Sequence, residues 1–149
     1  VELDLVGPHH DHPAYLEALT RYAADLGIGG VVRFRGRVSD AERDEAYSAS
    51  GAYLSMSEHE GFCAPLLEAM AQGLPVIARG AAAVPETVGA AGLLIPDRDI
   101  DLAAAAVARV LTDARVREGL ALNARGRLAG VNPDVVAPRI VSAVEAFVA

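Results

Sequence analysis

Ser57-Glu58-His59-Glu60-Gly61-Phe62-Cys63-Ala64-Pro65-Leu66-Leu67-Glu68-Ala69-Met70-Ala71-Gln72-Gly73 begins as an irregular acidic loop and runs into the first turns of a short helix. Ala64, Leu67, Ala71 and Leu74 recur at helical spacing and are expected to face a core. Glu68 and Gln72, four apart, share another face. Gly61 and Phe62 stand just before the helix, where free backbone N–H groups and the macrodipole favour anions. Pro65 suits a first turn, where its missing N–H costs little. Glu60 before the helix and Glu68 on its second turn thus flank an anion-friendly start.

Working outward, Ala52-Tyr53-Leu54-Ser55-Met56 reads as a strand feeding this stretch. Pro75-Val76-Ile77-Ala78 follows it as a short, wholly apolar strand, the mark of burial on both faces. Val84-Pro85-Glu86-Thr87-Val88 reads as one helical turn ended by Gly89, and Gly92-Leu93-Leu94-Ile95-Pro96 as a last strand. Upstream, Glu2–Val6 alternates as a strand before Gly7-Pro8, and a helix from Ala14 to Leu26 stops at Gly27. Val31–Arg35 is a further strand, ended by Gly36. Ser39-Asp40-Ala41-Glu42 is a capping box for the helix that carries Ala46, Tyr47 and Ala49. Downstream, Asp99 or Asp101 caps a helix to Leu111, and a second starts near Asp113 and fades between Gly126 and Gly130. Asn132-Pro133 restarts a terminal helix to Phe147.

Strands alternating with helices at this spacing predict an α/β fold, a parallel sheet with helices on both faces. Such sheets bind ligands beyond the carboxyl ends of their strands. The loop 57–63 lies at that end, and so does Gly36-Arg37-Val38 after its own strand. Both loops are expected to serve one crevice.

Composition narrows the function. The 149 residues carry a net charge of −7, and all 13 basic residues are Arg. No basic stripe exists, which argues against a nucleic-acid partner. No apolar run reaches the length of a membrane span, and no signal-peptide pattern opens the chain. The single Cys63 excludes an internal disulfide framework and permits a reducing, cytoplasmic compartment.

The residues alone point to a nucleoside-diphosphate ligand. The diphosphate would sit at the helix start near Gly61–Ala64, with Glu68 accepting from a ribose diol and Glu60 from sugar hydroxyls. Against this stands the reading of both acids as solvated helix-end residues. His59 fits a proton donor, a phosphate ligand or a structural histidine. Cys63 lacks an obvious base and reads better as a small packing residue than as a nucleophile. His9, His10, Asp11 and His12 crowd one loop at a spacing that matches no regular metal site, so no metal is expected. The phosphate loop of simple ATPases and the glycine fingerprint of NAD dehydrogenases are both absent from the sequence.

Glu60-Gly61-Phe62-x-x-Pro65-x-x-Glu68-Ala69-Met70-Ala71-x-Gly73-x-Pro75-Val76-Ile77-Ala78, followed by Val84-Pro85-Glu86 and Gly92-Leu93-Leu94-Ile95-Pro96-Asp97, strongly resembles glycosyltransferase family 4. The resemblance runs from Val1 to about Leu111. It implies a retaining, metal-independent enzyme of GT-B fold, without a cofactor, that moves a sugar from a nucleotide-diphosphate donor to an acceptor. By position, Glu60 matches the acid near the reacting centre. Gly61, Phe62 and Cys63 match residues whose amides reach the sugar and diphosphate, and Glu68 the acid on the ribose. Val38, after Gly36-Arg37, matches the position that meets the base, which places Arg37 and His59 in the donor region. Cys63 stands where Gly is commoner.

The resemblance also implies what the chain lacks. Val1–Val6 matches the second strand of the carboxy-terminal Rossmann-like domain, so the central first strand is missing. So is the basic pair that neutralises the leaving group, since the chain has no Lys. Either another chain fills the slot, or Val1–Val6 pairs directly with Ala52–Met56. Residues 1–130 are expected to form the donor-binding domain and 131–149 a helix that normally crosses to an absent acceptor-binding domain. Its apolar face, or the exposed sheet, could then support self-association. The isolated chain is expected to be inactive, and the parent protein cytoplasmic or peripheral to a membrane. The alternatives are another GT-B enzyme, such as a nucleotide-sugar epimerase, or a non-catalytic nucleotide-binding or assembly module, which the missing basic pair favours.

Overall fold

The computed structural model describes residues 1–8 and 12–148. The chain divides into two compact units, Val1–Ala49 and the remainder from Ser50. The first contains β1 (Leu3–Val6), α1 (Pro13–Asp25), β2 (Val32–Gly36) and α2 (Asp40–Ala49). The second contains β3 (Tyr53–Ser55), α3 (Ala64–Ala71), β4 (Val76–Arg79), α4 (Val84–Val88), β5 (Gly92–Ile95), α5 (Ile100–Thr112), α6 (Ala114–Gly130) and α7 (Pro133–Val148).

In the first unit β1 and β2 pair in parallel, Leu3 opposite Val32 and Leu5 opposite Phe34. Period-2 alternation sends Glu2, Asp4, Arg33 and Arg35 to one face. There Arg33 Nε lies 2.6 Å from Asp4 Oδ1 and Nη2 2.7 Å from Glu2 Oε2, while Arg35 Nη1 lies 3.2 Å from Asp4 Oδ2. The predicted capping box forms. Ser39 N–H and Oγ both donate to Glu42 Oε2, and Glu42 N–H donates back to Ser39 Oγ.

The Arg33 hydrogen bond holds the Asp4 carboxyl below its ordinary value of 3.8, with Arg33 and Arg35 charge adding to the effect. A depressed carboxylate stabilises the fold above its unfolded pKa and ceases to do so as pH falls through the folded one. The expected result is an Asp4 carboxyl-carbon NMR titration with its midpoint below 3.8 that moves up towards it in Arg33→Met.

In the second unit β3, β4 and β5 form a parallel sheet in that order. Val76, Ile77 and Ala78 are fully buried, as their uninterrupted apolar run predicts. Ile77 packs with Ile95 against Ala103 and Val110 of α5 and Leu120 of α6. Val76 and Ala78 alternate to the opposite face. Each fully buried Val, Leu or Ile contributes about 1.5–3 kcal/mol of transfer free energy.

The parallel α/β architecture is as expected, and two details differ. The buried positions of α3 are Leu66, Ala69 and Met70, with Leu74 just beyond; Ala64 and Ala71 are exposed and Leu67 is half-buried. The helix is apolar nearly all round, so periodicity could not choose its inward face. The ladders among the described residues are β1–β2 and β3–β4–β5, and direct pairing of Val1–Val6 with Ala52–Met56 is not among them. The expected caps Asp99 and Asn132 form, accepting from the N–H groups of Leu102 and Asp134, and Asp113 also caps α6 by accepting from those of Arg115 and Val116. None of the described residues of α7 is buried, and Ile140, Val141, Val144 and Phe147 are exposed.

Candidate functional site

The loop after β3 carries Glu58 to Cys63 to the start of α3, at the carboxyl end of the three-stranded sheet. Cys63 occupies the N-cap position with φ of 58°, the left-handed region, and its side chain caps nothing. That conformation costs a non-glycine residue on the order of 1–2 kcal/mol. The Cys63 carbonyl accepts from Leu66 N–H at 3.0 Å. Among the described residues, the N–H groups of Gly61, Phe62 and Cys63 meet no protein acceptor. They stand at the positive end of α3, exposed at Gly61 and Phe62, and can receive an anion.

Two backbone anchors set this arrangement. The Glu60 carbonyl accepts from Ala83 N–H at 3.3 Å, and the Phe62 carbonyl from Thr87 Oγ1 at 2.7 Å. Glu60 is half-buried and its carboxylate meets the Cys63 thiol. Burial first, and the Glu60 charge second, push that thiol's pKa up. Both effects disfavour the thiolate of Cys63, which favours packing over a nucleophilic role for it. Its alkylation by iodoacetamide at pH 8 is expected to be at least about tenfold slower in the native chain than in the denatured one, because reaction needs the thiolate. Mass spectrometry of the two time courses checks this.

Of the other residues singled out in the sequence, Ala64 opens α3, Glu68 lies half-buried on its second turn, and His59 is exposed in the loop. These, with Glu60 to Cys63, gather around one helix start in the second unit. Arg37, exposed, and Val38, half-buried, follow β2 in the first unit, after a buried Gly36 with φ of 66°. His9, His10 and Asp11 lie outside the described residues. Among the described residues, no group of three or more His, Cys, Asp or Glu could hold a metal ion, and no helix is long and apolar enough to cross a membrane.

Sequence reasoning missed three residues. Arg79, ending β4, is half-buried and pairs with Asp97 at 3.3 Å and Glu58 at 3.8 Å, while Arg98 also binds Glu58. The loops that follow β3 and β5 are thus tied by charge to each other and to the end of β4. Thr87 is 2% exposed and holds Phe62, and Arg127 donates to the Thr87 and Glu86 carbonyls. The turn Val84–Val88 also contains Glu86, so a polar residue at Thr87 gave no sequence signal of its own; what sets Thr87 apart is its burial.

A parallel α/β sheet with an open helix N-terminus and flanking carboxylates at its strand carboxyl ends defines a Rossmann-like half-domain with a candidate anion site. The profile of the family described as "Glycosyl transferases group 1" matches residues 1–127, and the chain belongs to that family. It is 38% identical over 116 residues to a D-inositol 3-phosphate glycosyltransferase of Frankia alni, covering 76% of this chain and 28% of that one. The fold matches a sucrose-phosphate synthase from Thermosynechococcus elongatus with a TM-score of 0.82 and 27% identity, over 98% of this chain and 38% of that one. It also matches the C-terminal domain of a group 1 glycosyl transferase from Francisella tularensis, with a TM-score of 0.68 and 26% identity, over 79% of this chain and 62% of that one. The shared architecture is that of the GT-B glycosyltransferases. The chain spans 23–35% of the length of the curated relatives it matches.

Proposed function

We propose that these residues are the donor-binding, carboxy-terminal half of a retaining, metal-independent glycosyltransferase of family 4, which transfers a sugar from a nucleoside-diphosphate donor. The observation that carries the reading is the start of α3. Unpartnered amides at Gly61–Cys63 suit a diphosphate, and Glu60 and Glu68 flank it with acceptors for sugar and ribose hydroxyls. The likeness to a C-terminal domain of the same family supports the placement.

In this reading Gly61, Phe62, Cys63 and Ala64 present the helix start to the diphosphate, with His59 beside it. Glu60 stands near the carbon where oxocarbenium charge develops, and Glu68 holds the ribose. The donor's own phosphate takes the acceptor proton as the sugar–phosphate bond breaks, so the protein positions and stabilises charge. The acceptor cleft and the cations opposing the diphosphate are assigned to the remainder of the whole protein, towards which α7 crosses. The 149-residue chain is then expected to bind donor weakly and to transfer nothing. Calorimetric titration with UDP, GDP and ADP and their sugar conjugates tests this reading. Saturable binding of one base series supports it, and absence of binding for all three counts against it.

A further inference from the structure

The loop that presents Gly61–Cys63 is held by groups far away in sequence, and their arrangement gives them a role. The carbonyls of Glu60 and Phe62 are both engaged by the segment from Ala83 to Thr87. In a trans peptide the N–H points opposite to the carbonyl of the same unit. Fixing the Glu60 carbonyl on Ala83 therefore turns Gly61 N–H away from that segment. Fixing the Phe62 carbonyl on Thr87 turns Cys63 N–H away in the same manner. These two amides consequently have no protein acceptor among the described residues.

Thr87 can do this because it is itself held. It lies in α4, a five-residue helix, with 2% of its surface exposed. Arg127 of α6 closes that helix, donating from Nε to the Thr87 carbonyl at 2.8 Å and from Nη2 to the Glu86 carbonyl at 2.7 Å. A guanidinium satisfies the terminal carbonyls of a short helix and is favoured at its negative end. The relay runs from Arg127 through Thr87 to Phe62 by two hydrogen bonds, of 2.8 and 2.7 Å, and the bond from Arg127 to Glu86 steadies its start.

We infer that Thr87 and Arg127 are positioning residues that aim the Gly61 and Cys63 amides at an anionic ligand. This rests on the donor-binding reading, and the ligand class is a nucleoside diphosphate. The Thr87 hydroxyl acts through the Phe62 carbonyl and does not touch the ligand. The Arg127 guanidinium acts through Thr87.

Thr87→Val keeps the shape and removes the hydroxyl, whereas Thr87→Ser keeps the hydroxyl. NMR exchange of the Ala83 and Leu66 amides, which donate to the Glu60 and Cys63 carbonyls, reads the loop without any ligand. Loss of one buried hydrogen bond is expected to speed both by about tenfold in Thr87→Val, with the β4 amides unchanged. Thr87→Ser should behave as the native chain, and Arg127→Met should reproduce the Thr87→Val effect on both amides. Affinity for whichever of UDP, GDP or ADP the native chain binds should fall about tenfold in Thr87→Val and return in Thr87→Ser. Unchanged exchange in Thr87→Val, or a serine variant that behaves like valine, overturns the positioning role. Unchanged exchange in Arg127→Met removes Arg127 from it. If the native chain binds none of the three nucleotides, the donor reading fails and with it the ligand assigned to the relay; the exchange rates still decide whether Thr87 and Arg127 hold the loop.

Discussion

Glu68→Ala is expected to weaken nucleoside-diphosphate binding by about 10- to 100-fold while leaving the fold intact. A carboxylate that accepts from both hydroxyls of a ribose makes two charge-assisted hydrogen bonds. Hydrogen bonds to a charged group contribute about 1.5–3 kcal/mol net, and about 1.4 kcal/mol corresponds to tenfold in affinity. Glu68 lies half-buried on the second turn of an eight-residue helix, one residue before the buried Ala69. Alanine is the best helix former, so the exchange is favourable for the helix itself. Calorimetric titration of native, Glu68→Ala and Glu68→Gln chains separates ribose recognition from phosphate recognition. Glutamine keeps one acceptor without the charge and should fall between the other two. Inorganic pyrophosphate, which has no ribose, should bind all three equally. Equal nucleotide affinity in Glu68→Ala would falsify the ribose assignment and leave the helix start as a phosphate site alone.

The parts of this molecule that sequence reading recovered are those determined locally. The capping box Ser39–Glu42 and the caps Asp99 and Asn132 depend on residues two or three apart, and each formed. The apolar run Val76-Ile77-Ala78 predicted burial on both faces because no polar residue interrupts it, and all three are fully buried. The motif from Glu60 to Ala78 carried the family, which the match over residues 1–127 supports. What sequence could not give is set by distant contacts or by conformation. Thr87 meets Phe62 across 25 residues, and Arg127 meets Thr87 across 40. Cys63 adopts a left-handed conformation that a glycine would have announced and a cysteine does not. The inward face of α3 depends on which side its neighbours cover, since Leu66, Leu67, Ala69 and Met70 are all apolar.

Gly92→Ala is expected to be among the most destabilising single-atom additions in the chain. Its backbone, φ −149° and ψ 172°, suits alanine, so conformation raises no objection. By removing freedom from the unfolded chain, alanine should even contribute about 0.4–1 kcal/mol. Space decides the outcome. A Cβ on Gly92 would stand 2.7 Å from Val88 Cγ1, 2.8 Å from the Val76 carbonyl oxygen and 3.3 Å from Val76 Cβ. Val76 and Val88 are fully buried, and the carbonyl belongs to the backbone of β4, so neither side can yield without moving the sheet or α4. Forcing a methyl into a packed interior costs about 1–3 kcal/mol or more, and backbone is the harder obstacle. A net loss of about 2 kcal/mol therefore follows, a large share of the roughly 5–15 kcal/mol that holds a domain together. Gly126→Ala supplies the contrast. That glycine lies inside α6, where an added Cβ meets nothing within 4 Å, and alanine there should stabilise by about 0.5–1 kcal/mol. Urea titrations should show the midpoint falling for Gly92→Ala and rising for Gly126→Ala, with unchanged slopes. A Gly92→Ala chain as stable as the native one would mean that β4 and β5 are not packed against α4 this closely. The same displacement would reach the site, because Val88 closes the short helix from which Thr87 holds the Phe62 carbonyl. Donor affinity in Gly92→Ala should therefore fall along with stability, whereas in Glu68→Ala it falls alone.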